Sequence, residues 1–275
     1  MPNRRMPKWG YRGKPPRTLG TEGDVDSENL QGKHTHEEAY MLKMANHTEG
    51  SIPQSSLVMH LDAGNPSSYT SGSNVWYDLT SNNRDWNVNA NDYNSGSGGH
   101  FVFNNGGQAM RSSDVSVNTS GTSLVVFLKW RTSDSASWRT LVRGNTYDHH
   151  IIVQASDSQL GMYDNNGGAF IGSGYSIKSF DNWNTKFNMY VWKLKNSANH
   201  YQCYQNKVSK ATINNSSAAL GYGYRVIGGY HSGGTNTSNN NQQVGDIAVF
   251  MQYNRLITDD DQSEIFDYYK DRFGL

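Results

Sequence analysis

The sequence predicts an all-β antiparallel sandwich that ends in one α-helix. Short apolar runs alternate with turn clusters rich in Asn and Gly, which is typical of sandwiches and barrels. No repeat of 20–50 residues is visible, which disfavours solenoids and propellers. The 275-residue chain is 12% aromatic but only 35% hydrophobic. This composition indicates a folded core with long polar loops rather than a disordered chain.

The strand predictions follow apolar runs and alternating patterns. The strongest lies at 124–128, where five large apolar residues stand together. The stretch 189–195 alternates, which places Tyr190, Trp192 and Leu194 on one face. Trp130 and Trp192 are therefore predicted core residues, and Cys203 is predicted to be a small buried residue on a strand. The further predicted strands are 57–61, 201–204, 225–230 and 246–251.

A C-terminal helix is predicted from its caps and its apolar stripe. Thr258 is the N-cap, and the three aspartates 259–261 fill the first turn, where the helix dipole favours negative charge. Gly274 fits the helix end. One apolar face is formed by Ile265, Phe266, Tyr269 and Phe273.

Residues 1–56 differ from the rest and are predicted to be an extended anchoring arm with a short helix near Thr35 and Glu38. Four of the six prolines lie in the first 17 residues, which excludes a helix or a central strand there. The arm has too few large apolar residues to fold alone. The predicted domains are thus an arm, 1–56, and a sandwich, 57–275. Assembly contacts are predicted for Arg4, Arg5, Lys8, Trp9, Arg12, Lys14 and Arg17.

Several motifs resemble concanavalin A-like (laminin-G-like) jelly rolls of phage and bacterial surface proteins. Residues 57–63 and 76–80 are similar to that family's opening, and 245–258 to its last strand and turn into a helix. The hairpin at 204–207 and the ending at 268–274 are similar as well. The resemblance implies a concanavalin A-like fold over 57–275. The chain departs from the family at 81–86, which replaces a usual Gly-Asn pair, and at Val249, which replaces a usual acidic residue.

Catalytic signatures are missing from the sequence. No glutamate occurs between Glu49 and Glu264, so the paired glutamates typical of glycosidases on this fold cannot form there. Nucleophile elbows, zinc-protease motifs and phosphate-binding loops are also absent. These absences predict that the chain is not an enzyme, with an aspartate-based glycan hydrolase as the less favoured alternative.

Metal binding has weak sequence support. His149 and His150 are neighbours on a predicted strand and point to opposite faces, so they are interpreted as two separate surface or edge histidines. Calcium is the usual cofactor of the resembled family where one exists. Asp164, in the oxygen-rich loop 164–166, is the candidate calcium ligand, and no cofactor is otherwise predicted.

Glycan binding is suggested by aromatic residues interleaved with Asn in the predicted loops. Aromatic platforms combined with polar donors suit sugar rings, although most aromatics of a sandwich pack in its core. The candidate glycan-binding residues are Trp86, Tyr93, Trp138, Tyr147, Trp183 and Tyr230.

The preferred sequence-based hypothesis is a virion component, such as a capsid or tail decoration protein. Its arm would anchor it to neighbouring subunits, and its exposed sandwich would adhere to host glycans. A free-standing lectin or adhesin at the cell surface is the alternative. The formal net charge is zero, which disfavours nucleic acid as a partner, and no apolar run predicts membrane insertion. The expected location is the virion, assembled in host cytoplasm, or else the cell exterior.

Overall fold

The computed structural model describes residues 52–103, 108–131, 138–144, 149–164, 167–195, 201–213, 223–229 and 244–275. These residues belong to one compact unit, Glu49–Leu275, built from two antiparallel sheets and one helix. The predicted all-β sandwich with a C-terminal helix is confirmed. The predicted arm residues, from Arg4 to Arg17, and the predicted arm helix lie outside the described residues. The domain boundary at 56/57 stays a prediction, and Ile52 already packs against the sandwich.

Sheet A has eight strands, and β16 is its central member because it pairs with β7, β5 and β1. In spatial order the path runs β14-β13-β12-β7-β16-β5-β4. Its strands are β1 (Leu57–Asp62), β4 (Tyr93–Asn94), β5 (His100–Phe103), β7 (Thr122–Trp130), β12 (Asn188–Leu194), β13 (Tyr201–Gln205), β14 (Val208–Ile213) and β16 (Gly245–Tyr253).

Sheet B also has eight strands, in the order β11-β10-β9-β8-β15-β6-β3-β2. Three short 3₁₀ turns, Ala90–Asp92, Gly96–Gly98 and Ile177–Ser179, lie in the connections. The strands of sheet B are β2 (Val75–Trp76), β3 (Trp86–Asn87), β6 (Ala109–Ser116), β8 (Arg139–Gly144), β9 (His149–Val153), β10 (Gln159–Asp164), β11 (Ala169–Ser176) and β15 (Gly223–Ile227).

The main core lies between the two sheets and is rich in aromatic rings. Trp130 and Trp192 are buried there, as predicted, and so is Cys203, whose burial raises the pKa of its thiol. The Trp192 indole donates to the Tyr201 hydroxyl across 3.0 Å. Burying rings of this size supplies much of the hydrophobic stabilisation of such a sandwich.

A second core covers the outer face of sheet A. Val125, Phe127 and Met251 point outward from that sheet and pack against helix α1 (Asp259–Phe273). The helix contributes Ile265, Tyr269, Phe273 and neighbouring residues, as its sequence stripe predicts. Its caps are also confirmed: Thr258 forms a capping box with Asp261, and Gly274 ends the helix in the left-handed region at φ 64°.

A buried polar network fixes α1 to β1. The Tyr269 hydroxyl donates to Asp62 Oδ2 across 3.0 Å and lies 2.9 Å from His60 Nε2, so His60 donates to it in turn. Asp62 Oδ1 accepts from Arg272 Nη1 across 2.7 Å. His60 is neutral in this position because burial lowers its pKa. The Tyr269 hydroxyl, His60 Nε2 and both Asp62 oxygens are thereby paired, which avoids the cost of burying these polar atoms without partners.

Removing the Tyr269 hydroxyl tests this network. Tyr269→Phe is expected to lower the free energy of unfolding by about 1–3 kcal/mol, because Asp62 and His60 lose a buried partner. Urea denaturation followed by tryptophan fluorescence measures the change. Tyr268→Phe is the matched control, since Tyr268 is 46% exposed and its loss should matter little. Equal effects of the two variants would contradict the assigned role of Tyr269.

Candidate functional site

The candidate site lies on the outer face of sheet B. Leu160 and Met162 of β10 point into the core between the sheets. Because side chains alternate along a strand, Gly161 and Tyr163 face outward. Helix α1 packs on sheet A, and no helix among the described residues covers the outer face of sheet B. At the β10–β11 end of this face, Tyr163 and Phe170 are half-buried.

One row of side chains crosses five neighbouring strands on this face. Tyr163 stands opposite Phe170 on one side and opposite His149 on the other. His149 is opposite Arg143, and Arg143 is opposite Val226. Directly opposed residues of paired strands share a face, so all five side chains lie on one face of sheet B, with Arg143, His149 and Val226 buried and Tyr163 and Phe170 half-buried.

Three aromatic rings of this surface form a cluster, named here the aromatic face: Trp138, Tyr163 and Phe170. The Trp138 ring lies 5.7 Å from Tyr163 and 5.5 Å from Phe170, with interplanar angles of 81° and 69°. These are favourable edge-to-face arrangements. All three residues are half-buried. The rings contact one another and the cluster is partly exposed, which suits a ring-binding platform.

Gly161 makes room for this cluster. A side-chain Cβ at position 161 would lie 2.7 Å from the Phe170 ring, closer than atoms can approach. The Phe170 ring therefore occupies space that only glycine leaves open at that position. Any larger residue would displace Phe170 and, through it, Trp138.

His149 borders the aromatic face and is buried. Its ring lies 5.8 Å from the Tyr163 ring, and its Nδ1 lies 2.7 Å from Thr140 Oγ1. Burial, together with charge repulsion from Arg143 and His150, lowers the pKa of His149 to about 3. The imidazole is therefore neutral at neutral pH and can act as both donor and acceptor. The prediction of surface or edge histidines is wrong, since His149 and His150 are 5% and 1% exposed.

The sequence-predicted aromatic residues do not form one site. Trp86 is fully buried, and its indole donates to Met59 Sδ, so its ring belongs to the core. Tyr93 is half-buried against Tyr69 and Phe101. Trp183 is half-buried against the main core. Tyr147 and Tyr230 lie outside the described residues. Of the four candidates that the structure describes, it brings Trp138 alone into the aromatic face.

Sequence reasoning missed Tyr163 and Phe170. Both residues lie at equal distance from the middle of the turn that joins β10 to β11, and residues so placed in a hairpin stand opposite each other. This equal spacing could have predicted that Tyr163 and Phe170 are neighbours. The proximity of Trp138 could not be predicted from the sequence, because it depends on pairing between β8, β9 and β10.

The candidate calcium ligand Asp164 ends β10. Its Oδ1 accepts a hydrogen bond from the Gly167 backbone N–H across 2.9 Å, a common turn arrangement. Residues 165–166 lie outside the described part of the chain. Within the described residues, no three His, Cys, Asp or Glu side chains lie together as a metal site. Calcium binding stays a prediction.

No helix of the described residues is long and apolar enough to cross a membrane.

Comparison with known proteins identifies similar structures but no similar sequence. Neither a protein-family model nor a curated protein sequence matches the chain. Trypanosoma rangeli sialidase is similar with a TM-score of 0.51 and 15% identity, over 80% of this chain and 34% of that one. Domain 4 of AbnA, a GH43 extracellular arabinanase from Geobacillus stearothermophilus, in complex with arabinotriose, gives 0.50 and 16%, over 78% and 99%. An HCR/D mutant gives 0.51 and 11%, over 77% and 51%.

These similarities show the class of fold, an antiparallel β-sandwich. At 11–16% identity they show nothing finer, and the chain spans only about a third of the sialidase. The prediction that the chain is not an enzyme is wrong, because the similar structures come from a sialidase and a domain of an arabinanase. The absence of paired glutamates excludes only one type of glycosidase, since glycosidases with other nucleophiles also exist.

The depressed pKa of His149 predicts how stability depends on pH. The unfolded chain takes up a proton on His149 below about pH 6.5, whereas the folded chain does not until about pH 3. Stability should therefore fall as pH falls below about 6.5, by up to about 1.4 kcal/mol per pH unit.

His149→Gln lacks this contribution and should show a flatter profile in urea denaturation at several pH values. His60 and His100 remain in both proteins, so the difference between the two profiles isolates His149. Parallel profiles would show that His149 takes up a proton without cost in the folded state.

Proposed function

We propose that this sandwich binds glycans and that the aromatic face, Trp138, Tyr163 and Phe170, is the platform. The observation that carries the proposal is the edge-to-face cluster of three half-buried rings on the sheet that no described helix covers. Sugar rings present apolar C–H faces that suit aromatic rings, and polar groups nearby fix their orientation. The neutral His149 lies beside the Tyr163 ring, where its Nδ1 is held by Thr140.

The comparisons support this proposal through the proteins they name. Domain 4 of AbnA forms a complex with arabinotriose, and the similarity covers 99% of that domain. Sialidase is likewise a protein that acts on a glycan. We also propose that the sandwich is a concanavalin A-like jelly roll, because the sequence motifs resemble that family.

The virion role remains a prediction of the sequence alone. It rests on the arm, which lies outside the described residues, and the similar structures lend it no support. Anchoring to particle subunits is likewise a proposal that rests on the sequence alone. The same is true of a location on a virion or at a cell surface. Glycan binding does not depend on them.

Replacing Trp138 tests the proposal. The full chain is expected to bind a subset of a broad glycan array, and Trp138→Ala should weaken binding of the best ligand about tenfold, as loss of an aromatic anchor does. Tyr77→Ala is the control, because Tyr77 is exposed and stands outside the aromatic face. Thermal melting of both variants separates loss of binding from loss of fold.

The same experiment should measure product release from each bound glycan, since the similar structures include glycan hydrolases. An array without any ligand, or a Trp138→Ala variant that binds as wild type, would contradict the proposed site.

A further inference from the structure

A cleft of about 300 Å³ lies where the end of α1 meets β7 and the turn before β12. Three cationic side chains line it: Lys129, Lys186 and Arg272. Phe187 and Phe273 form its apolar part. Among the described residues that line the cleft there is no carboxylate. The cleft is separate from the aromatic face, because its residues come from sheet A, α1 and their connections.

The two phenylalanine rings form a floor flanked by cations. Their centroids lie 5.2 Å apart. Lys129 Nζ lies 5.4 Å from the Phe187 ring, and Arg272 Cζ lies 4.8 Å from the Phe273 ring. Both distances are within the range of cation–π attraction. Positive charges of Lys129 and Arg272 therefore lie beside the two phenylalanine rings, which form the apolar part of the cleft.

Two of the cations are held in place by carboxylates. Lys129 Nζ lies 2.6 Å from Asp246, and Arg272 Nη1 lies 2.7 Å from Asp62. Neither Asp246 nor Asp62 lines the cleft. Three cations against these two carboxylates leave one positive charge. Lys129 also keeps two of its three N–H donors, since an ammonium has three.

Lys186 carries the uncompensated charge. It is exposed and forms no ion pair with any described residue. Ser97 and Thr185 add hydroxyl groups to the lining. The cleft thus combines the unpaired Lys186 with the paired cations Lys129 and Arg272, two hydroxyl groups and an aromatic floor. Its volume is at the lower end of the range for small-ligand sites.

We propose that this cleft binds the carboxylate of an acidic sugar residue. The carboxylate lies between Lys186 and Lys129, the apolar face of the sugar packs on Phe187 and Phe273, and Ser97 and Thr185 contact ring hydroxyls. The small volume of the cleft favours one sugar ring over an acidic peptide. This site is independent of Trp138 and does not rest on glycan binding at the aromatic face.

Titration of the full chain with glucuronate and with glucose, followed by NMR, tests the site. Glucuronate is expected to bind, and glucose, which lacks the carboxylate, about tenfold or more weakly. Lys186→Gln should weaken glucuronate binding about threefold or more, the size of a partly exposed ion pair. Lys178→Gln is the control, because Lys178 is exposed and outside the cleft. Raising NaCl from about 0.05 M to about 0.5 M should weaken glucuronate binding by screening.

Equal affinity for glucuronate and glucose would overturn the proposal, and so would wild-type affinity in both Lys186→Gln and Lys129→Gln. Tighter binding of a polyglutamate peptide that displaces glucuronate would overturn it in favour of a protein partner. Trp138→Ala should leave glucuronate binding unchanged, which keeps this site distinguishable from the aromatic face.

Discussion

Sheet A is apolar on both faces, and the rest of the structure depends on covering both. Sheet B covers one face, and α1 covers the other through Ile265, Tyr269 and Phe273. The helix is fixed there by the paired network of Asp62, Tyr269 and Arg272. Helix α1 packs on sheet A, and the aromatic face lies on the outer face of sheet B. The end of the helix forms one wall of the cleft lined by Lys129, Lys186 and Arg272. Both candidate sites follow from the same packing requirement.

The two sites differ in how they hold their binding groups. On the aromatic face the rings support one another at edge-to-face angles, so little side-chain entropy remains to be lost on binding. In the cleft the cations are positioned by Asp246 and Asp62, and the exposed Lys186 adds charge without a fixed partner. A platform of the first kind suits neutral sugar faces, whereas one of the second kind selects for negative charge.

The elements of the fold were largely predictable, because their signals are local. The strands at 124–128 and 189–195 and the helix caps at Thr258 and Gly274 depend on apolar runs, alternation and spacing. The site was much less predictable. Trp86 and Trp138 look alike in sequence, yet Trp86 is in the core and Trp138 is in the aromatic face. Their difference is set by pairing between distant strands, and the burial of His149 and His150 has the same origin.

The tryptophan indole signals in NMR test the central claim most directly. The chain has seven tryptophans, and each gives one indole N–H resonance. On titration with a glycan that the chain binds, the account predicts a shift of the Trp138 signal. The signals of the core residues Trp76, Trp86, Trp130 and Trp192 should stay in place. A bound glycan that leaves Trp138 unmoved, or that moves Trp183 instead, would contradict the assignment of the aromatic face as the binding platform.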